Sequence, residues 1–500
     1  MPPAVLHRRN PRPHAAVTTP EPAEPVQPPA PPRSEAARLR AESASLPPLD
    51  AVALVGALPS TRRFLLWQAP EEDAWVGIGR CVGRPVLREG APAGTLPELG
   101  RTLVDELASR LEGAGRPPRC FFTVTFDPER HSGGDGVPPP WRGFAPLEIF
   151  VPEILVRCGP SGSEASLVGG RERLAELRAE LAGLVDATRD GGAPLEGPRQ
   201  VRNLVIEWAA TRHRRNVEAA LAALGRRPPG DGSPGGRHGG LTKVVLAHGV
   251  EVRRDRPFDP AALLADLARA HPSCFLFAHR PAAGGPVFLG ASPERLARVE
   301  AAGDPRSEAR HDRGDRRVLS GALAGSAPRG TGAAEDGALG RRLLESAKDR
   351  EEHAIVGEMI AGALGPLCRS VEGPGEPVLE KLANVQHLYT PISGRLLPGR
   401  GVLDAVAALH PTPAVGGMPR DLALAAIRQL EPEPRGLYAG VLGWVSPDGH
   451  GDSAVAIRSA LVDGCRARVF AGGGIVPTSD PDVEVEEARL KMAAILGAMK

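Results

Sequence analysis

The chain has no excess charge of either sign, no long apolar run and no clustered cysteines, and each absence excludes something. Its 61 Lys+Arg offset 60 Asp+Glu to leave a net +1, so nothing in the overall charge favours nucleic acid or an acidic membrane as a partner. No stretch approaches the roughly 18 apolar residues that suggest a transmembrane helix. The six cysteines stand at 81, 120, 158, 274, 368 and 465, without CxxC or metal-ligand spacing. That usage fits a reducing compartment, so a cytoplasmic protein without a disulfide framework is expected. Chain length is ample: 500 residues can bury a sizeable core in one large domain or up to about three ordinary ones.

Residues 1–45 carry many prolines and almost no large apolar side chains, and are expected to form a disordered tail without the apolar core of a secretory signal. From 46 to 225 comes an amino-terminal part. Its runs "RFLLWQAP", "AWVGIGRCVG", "RCFFTVTFDP" and "LEIFVPEILVRC" read as strands of a mostly antiparallel sheet. "RERLAELRAELAGLVDA" then takes up a helical period. A flexible loop is expected over 226–240, followed by a core over 241–500. That core holds a polar insertion near 301–316 and helices near 340–365 and 481–499. Within it, "LHPTPAVGGMPR" (409–420) places two prolines and adjacent glycines between two helix-like stretches. Such a sequence builds neither a regular helix nor a central strand, so a shaped loop is expected.

Several residues could carry chemistry. On the final helix, expected to be capped by Ser479 or Asp480, Glu484, Glu487 and Lys491 share one face. Beside them runs an apolar stripe of Ala488, Met492, Ile495, Leu496 and Met499. By itself the spacing suits a solvated flank with a Glu487–Lys491 pair as well as a site. "SAKDREEHAIVGEMI" places Asp349 and Glu352 on one face with His353 beside them. Two such carboxylate edges could meet across a hard cation such as Mg²⁺. Gly472, Gly473 and Gly474 follow a strand-like run and allow close approach of backbone to an anion, or form a tight turn. "DSAVAIRSALV" reads as an alternating strand with a lone arginine, Arg458, which faces solvent unless it is buried against an anion.

Taken in order, "KVVLAH", "FLGASPERL", "LAGSAPRG", "EEHAIV", "HLYTPISGRL", "LHPTPAVGG", "RGLYAGVLGW", "AVAIRSA", "AGGGIV" and "EVEEARLKM" resemble the chorismate-utilising enzymes across roughly 241–497. That family includes isochorismate and salicylate synthases and the large subunits of anthranilate and aminodeoxychorismate synthases. The resemblance implies an α+β fold: two large antiparallel sheets packed together, flanked by helices, forming a single chorismate-binding domain. It implies Mg²⁺ ligands at Glu352 and Glu487, with Asp349 and Glu484 as further acids near the metal. Tyr438, Arg458, Gly472, Gly473, Gly474 and Lys491 would hold the substrate's carboxylates, and Ser326 and His387 would line the pocket.

Within the family, a water-using enzyme is implied to have Lys243 as base and Glu294 as acid. Glu294 must then stay protonated, which an apolar setting favours. Anthranilate-type members usually carry glutamine where Lys243 stands. Aminodeoxychorismate synthases place a lysine where this chain has Ala324. The resemblance therefore implies an isochorismate synthase, with salicylate synthase as the nearest rival, and no amidotransferase subunit. The chain departs from the pattern at His248 (arginine expected), Ser326 (threonine) and Leu490 (asparagine). "FFTVTFDPERHSGGDGVPPPWRGFAPLEIFVPEILV" is similar to the amino-terminal half of menaquinone-type isochorismate synthases, which implies that pathway. A siderophore route and a non-catalytic chorismate-binding protein are the alternatives. A monomer or homodimer is expected.

Overall fold

Several strands in this chain are apolar on both faces because they are covered twice. Along Phe64–Gln68, Leu65 and Trp67 enter one core, and Phe64 and Leu66 enter another. Phe277 and Phe288 repeat the alternation against Leu276 and Leu289. Successive side chains of a strand point to opposite faces, so one core lies between two sheets and the other between a sheet and its helices.

The computed structural model describes residues 38–86, 95–112, 118–131, 140–190, 204–207, 210–224, 240–301, 315–382 and 385–499. The expected loop at 226–240 and the insertion near 301–316 fall almost wholly outside these residues. Residues 38–499 of the described chain belong to one compact unit. Among them one sheet has thirteen strands and the other ten. Pairing is antiparallel except for a short parallel contact of Leu39–Leu46 with Leu111–Glu112. Helices Ala51–Ala57, Arg171–Asp190, Pro260–Ala270 and Pro481–Ala498 contribute to the core on the outer face of the larger sheet. The α+β architecture with two large antiparallel sheets is the one the sequence implied. No helix among the described residues is long and apolar enough to cross a membrane.

Three expectations need correction. Leu39–Leu46 begins inside the expected tail yet is a strand, paired over seven residues with Ser163–Gly169. Its sequence, LRAESASL, has few large apolar residues because it lies near a sheet edge, with half its length exposed. The strands between 50 and 165 do not form one sheet. Phe64–Gln68, Ala74–Ile78 and Ile154–Cys158 join the larger sheet, whereas Val82–Val86, Cys120–Val124 and Leu147–Val151 join the smaller. Finally, the stretch around Arg458 is not one strand. Gly451–Val455 ends in the smaller sheet and Ser459–Asp463 begins in the larger. Arg458 sits at the crossing, in the left-handed region with φ 49°.

That crossing has a neighbour. Val287–Ser292 belongs to the larger sheet and Arg295–Ala301 to the smaller, so Pro293–Glu294 is a second passage between the sheets. The two passages are hydrogen-bonded together: Ala291 N–H donates to the Arg458 carbonyl (3.1 Å), and Val455 N–H to the Glu294 carbonyl (3.0 Å). The functional residues gather where the chain changes sheets.

Candidate active site

One cavity of about 240 Å³ opens at these crossings. Lys243, Glu294, Ser326, Asp349, Glu352, His387, Tyr438, Arg458, Gly472, Gly474, Glu484, Glu487 and Lys491 all line it. Residues more than 240 positions apart in the chain are thus brought together. Gly473 does not line it. Strand alternation turns this residue toward the final helix, where a Cβ would stand 2.9 Å from the Glu484 carboxylate.

The glycine run is needed for its neighbours. A Cβ at Gly472 would lie 2.9 Å from the Tyr438 hydroxyl, and one at Gly474 would lie 2.8 Å from Lys243 Cε. These glycines belong to the strand Arg466–Ile475, which pairs with Lys243–Arg253 over ten residues. They are ladder positions stripped of side chains so that a phenol, a carboxylate and a lysine can occupy the space.

Two acidic helices face the cavity. Asp480 caps the helix Pro481–Ala498, accepting from the N–H groups of Asp482 and Val483. The expected stripe is buried at Ala488, Met492, Ile495 and Met499, and Leu496 packs against it partly buried. This fixes Glu484 and Glu487 on the cavity side. Ser346 caps Ala347–Leu364 through the Asp349 N–H, which fixes Asp349 and Glu352. Each outer carboxylate holds a lysine: Lys243 Nζ is 2.7 Å from Glu352 Oε1, and Lys491 Nζ is 2.6 Å from Glu487 Oε1. Lys491 also donates to the Gly472 carbonyl (2.9 Å). Burial pushes the Glu487 carboxyl up, but Lys491, His387 and Lys243 together hold it below the usual range. Glu484 goes the other way. Burial raises it, as does the charge of Glu487, against the opposing Ser479 hydrogen bond. Its Oε2 is buried without a hydrogen-bond partner.

The acid expected at Glu294 is 8% exposed. Burial pushes its carboxyl up to about 7, against the neighbouring Thr412 hydroxyl and the positive charge of Lys243. Its neighbour Arg295 is held by Asp452 (3.0 Å), so Glu294 is left facing the cavity. Arg458 is also buried, with Nη1 unpartnered. Its Nη2 lies 3.3 Å from His387 Nε2, and His387 Nδ1 lies 2.9 Å from the Ser326 hydroxyl. Burial, Arg458 and Lys491 drive the His387 imidazole down to about 4, so it is neutral and can accept from the guanidinium. A buried cation with a free N–H is a receptor for an anion.

The loop 410–419 forms part of the wall through Ala414 and Val415. Gly417–Met418 pairs with Lys243–Val244, and Thr412 meets Glu294. Sequence reading missed Thr412 and the buried pair Glu431–Arg435. Thr412 lies within "LHPTPAVGG" and Arg435 opens "RGLYAGVLGW", but all three stand in Pro-rich segments that read as turns, and no role was assigned to them.

The donor set suits a hard divalent cation. It offers carboxylate oxygens only, including the unpartnered oxygen of Glu484, and Mg²⁺ favours oxygen ligands while keeping waters for substrate. Among the described residues no three His, Cys, Asp or Glu side chains stand close enough to form a closed cage, so water and substrate would complete the shell.

Comparison with known proteins identifies the family. The family described as chorismate binding enzymes matches residues 30–500. The isochorismate synthase MenF of Bacillus subtilis is 33% identical over 400 residues, covering 78% of this chain and 76% of that one. A salicylate biosynthesis isochorismate synthase of Pseudomonas aeruginosa is 45% identical over 263 residues, which is 53% of this chain and 52% of the relative. The chain thus spans about half the length of that relative. MenF of Escherichia coli, a menaquinone-specific isochorismate synthase, has the same fold. The TM-score is 0.73 over 93% of this chain and 95% of that one, at 24% identity. With a family match over nearly its whole length, the chain belongs to the chorismate binding enzymes.

Proposed function

We propose that the protein is an isochorismate synthase, isomerising chorismate by adding water at ring C2 as the C4 hydroxyl leaves. The observation that carries this reading is the buried Glu294 carboxyl, pushed up to about 7 in the same cavity as the buried Lys243. Such a carboxyl can be a proton donor near neutral pH.

In this reaction Lys243, as the neutral amine, takes a proton from the attacking water, and the protonated Glu294 gives one to the departing hydroxyl, which leaves as water. Arg458, with its unpartnered Nη1, receives a substrate carboxylate. Tyr438 and Lys491 complete the polar wall around Gly472, and the neutral His387 and Ser326 hold Arg458 in place. Glu352 and Glu487 would hold Mg²⁺, with Asp349 and Glu484 beside them. The cation would anchor and neutralise the ring carboxylate. Since the nucleophile is water, no amidotransferase subunit is required, and the protein works in the cytoplasm.

Menaquinone synthesis is the proposed pathway. The likeness to the Bacillus MenF covers 78% of this chain, extending beyond the core, while that to the Pseudomonas relative covers 53%. Purified protein incubated with chorismate and Mg²⁺, with products separated by chromatography, tests the activity. Isochorismate alone supports it. Salicylate with released pyruvate would make the protein a salicylate synthase, and unchanged chorismate would leave it a binding protein.

A further inference from the structure

Among the described residues, the strand Lys243–Arg253 has one continuous neighbour and one broken one. On one side Arg466–Ile475 pairs along almost its entire length. On the other, Gly417–Met418 pairs at Lys243–Val244, the Gly416 carbonyl accepts from Val245 N–H (2.9 Å), and Val205–Glu207 pairs only from Glu251 onward. Between them two side chains take the place of a strand. Arg435 Nη2 donates to the Val245 carbonyl (2.6 Å), and Glu431 Oε1 accepts from Ala247 N–H (2.8 Å). Arg435 and Glu431 are joined by two hydrogen bonds, at 2.8 and 2.5 Å.

The same guanidinium reaches the loop. Arg435 Nη1 donates to the Val415 carbonyl (2.9 Å), and the guanidinium lies 4.0 Å from the Phe126 ring centroid. All three of its nitrogens are committed to protein acceptors. Although Arg435 lines the cavity, four of its five N–H groups are therefore held by the protein, in contrast to Arg458 with its unpartnered Nη1. It ties the strand that starts at Lys243 to the loop whose Thr412 meets Glu294.

We infer that the buried Arg435–Glu431 pair is a positioning device for the reaction, fixing the spacing between Lys243 and Glu294 by completing the edge of the Lys243–Arg253 strand. The inference rests on the isochorismate synthase reading. A buried ion pair is weak evidence for stability, whereas misplacement of a catalytic group by about 1 Å can cost roughly 10²-fold in rate.

Glu431→Gln and Arg435→Lys keep size and polarity while disturbing the charge or the fork, so two independent variants guard against one failing to fold. Each is compared with wild type by circular dichroism melting, by kcat and KM for chorismate, and by hydrogen–deuterium exchange of the 243–247 segment without substrate. The expected result is a folded variant with KM within about threefold, kcat lower by roughly 10²-fold, and faster exchange at Val245 and Ala247. Unchanged exchange, or faster exchange with kcat within twofold of wild type, would overturn it. Absence of wild-type turnover would instead refute the reaction, and the exchange comparison alone would then decide whether the pair holds the strand.

Discussion

Lys243 Nζ and Glu352 Oε1 are 2.7 Å apart, joining the proposed base to a proposed metal ligand. The lysine side chain is 9% exposed and the glutamate 29%, so solvent screens the contact only in part. A cation at Glu352 must compete with this ammonium for the same carboxylate. Lys243→Met is therefore expected to raise the affinity of the substrate-free protein for Mg²⁺. A hydrogen bond to a charged group is worth about 1.5–3 kcal/mol, so a gain of roughly tenfold is expected by titration calorimetry. Unaltered or weaker Mg²⁺ binding would refute the competition.

The same substitution should remove turnover. General acid–base catalysis contributes typically 10²–10⁴-fold, and Lys243→Met is expected to lose roughly that much kcat while chorismate still binds. A variant that turns over at the wild-type rate would exclude Lys243 as base.

Loss of either acidic edge should abolish metal dependence. Glu352→Gln and Glu487→Gln retain the shape of helices whose caps lie elsewhere, at Ser346 and Asp480, so melting temperatures should change little. Activity that no longer responds to added Mg²⁺, at a small fraction of wild type, is expected. Full activity of either variant in excess chelator would refute the proposed site.

Glu294 links activity and stability in opposite directions. Its carboxyl sits at about 7 in the folded protein against 4.5 ordinarily, because burial disfavours the charged form. Between those values the unfolded chain releases a proton that the folded chain keeps. Stability is thus present in full below about 4.5 and is lost as pH rises through about 7. At about 1.4 kcal/mol per pH unit the loss over this span is on the order of 3 to 4 kcal/mol. Wild-type turnover should fall as pH rises through 7. Glu294→Gln should be nearly inactive, yet melt higher than wild type at pH 8, with the gap closing toward pH 5. A lower melting temperature for the variant at pH 8 would contradict this assignment.

The ordered motifs made the candidate site legible through the family resemblance they carry, since single segments left a solvated flank or a tight turn equally open. The final helix could be read from its cap at Asp480 and from the spacing of Ala488, Met492 and Ile495. Sheet membership could not be read. A strand buried on both faces, such as Phe64–Gln68, has the same apolar run whichever sheet it joins. The segment around Arg458 was misread as one strand for a related reason. Alternation on either side of it looks continuous, while the backbone turns through φ 49° to change sheets. The Glu431–Arg435 pair was hidden because "EPEPRG" has the composition of a solvent turn, and its burial depends on segments some 190 residues away.

The glycine run supplies the last test, since its three positions guard three different side chains. A Cβ at Gly474 would come within 2.8 Å of Lys243 Cε, and one at Gly473 within 2.9 Å of Glu484 Oε2. In both cases the obstructed atom is near the end of a flexible side chain, so the backbone need not move and the fold should survive. Gly474→Ala should displace the lysine and lower kcat by roughly 10–10²-fold, with Mg²⁺ affinity unchanged or raised, since the displaced ammonium no longer competes for Glu352. Gly473→Ala should displace the glutamate instead, weakening Mg²⁺ binding several-fold with a smaller effect on turnover at saturating metal. Calorimetric Mg²⁺ titration beside steady-state kinetics separates the two. Indistinguishable behaviour of the variants would mean that the run serves only as ladder backbone, without the separate clearances that its geometry assigns.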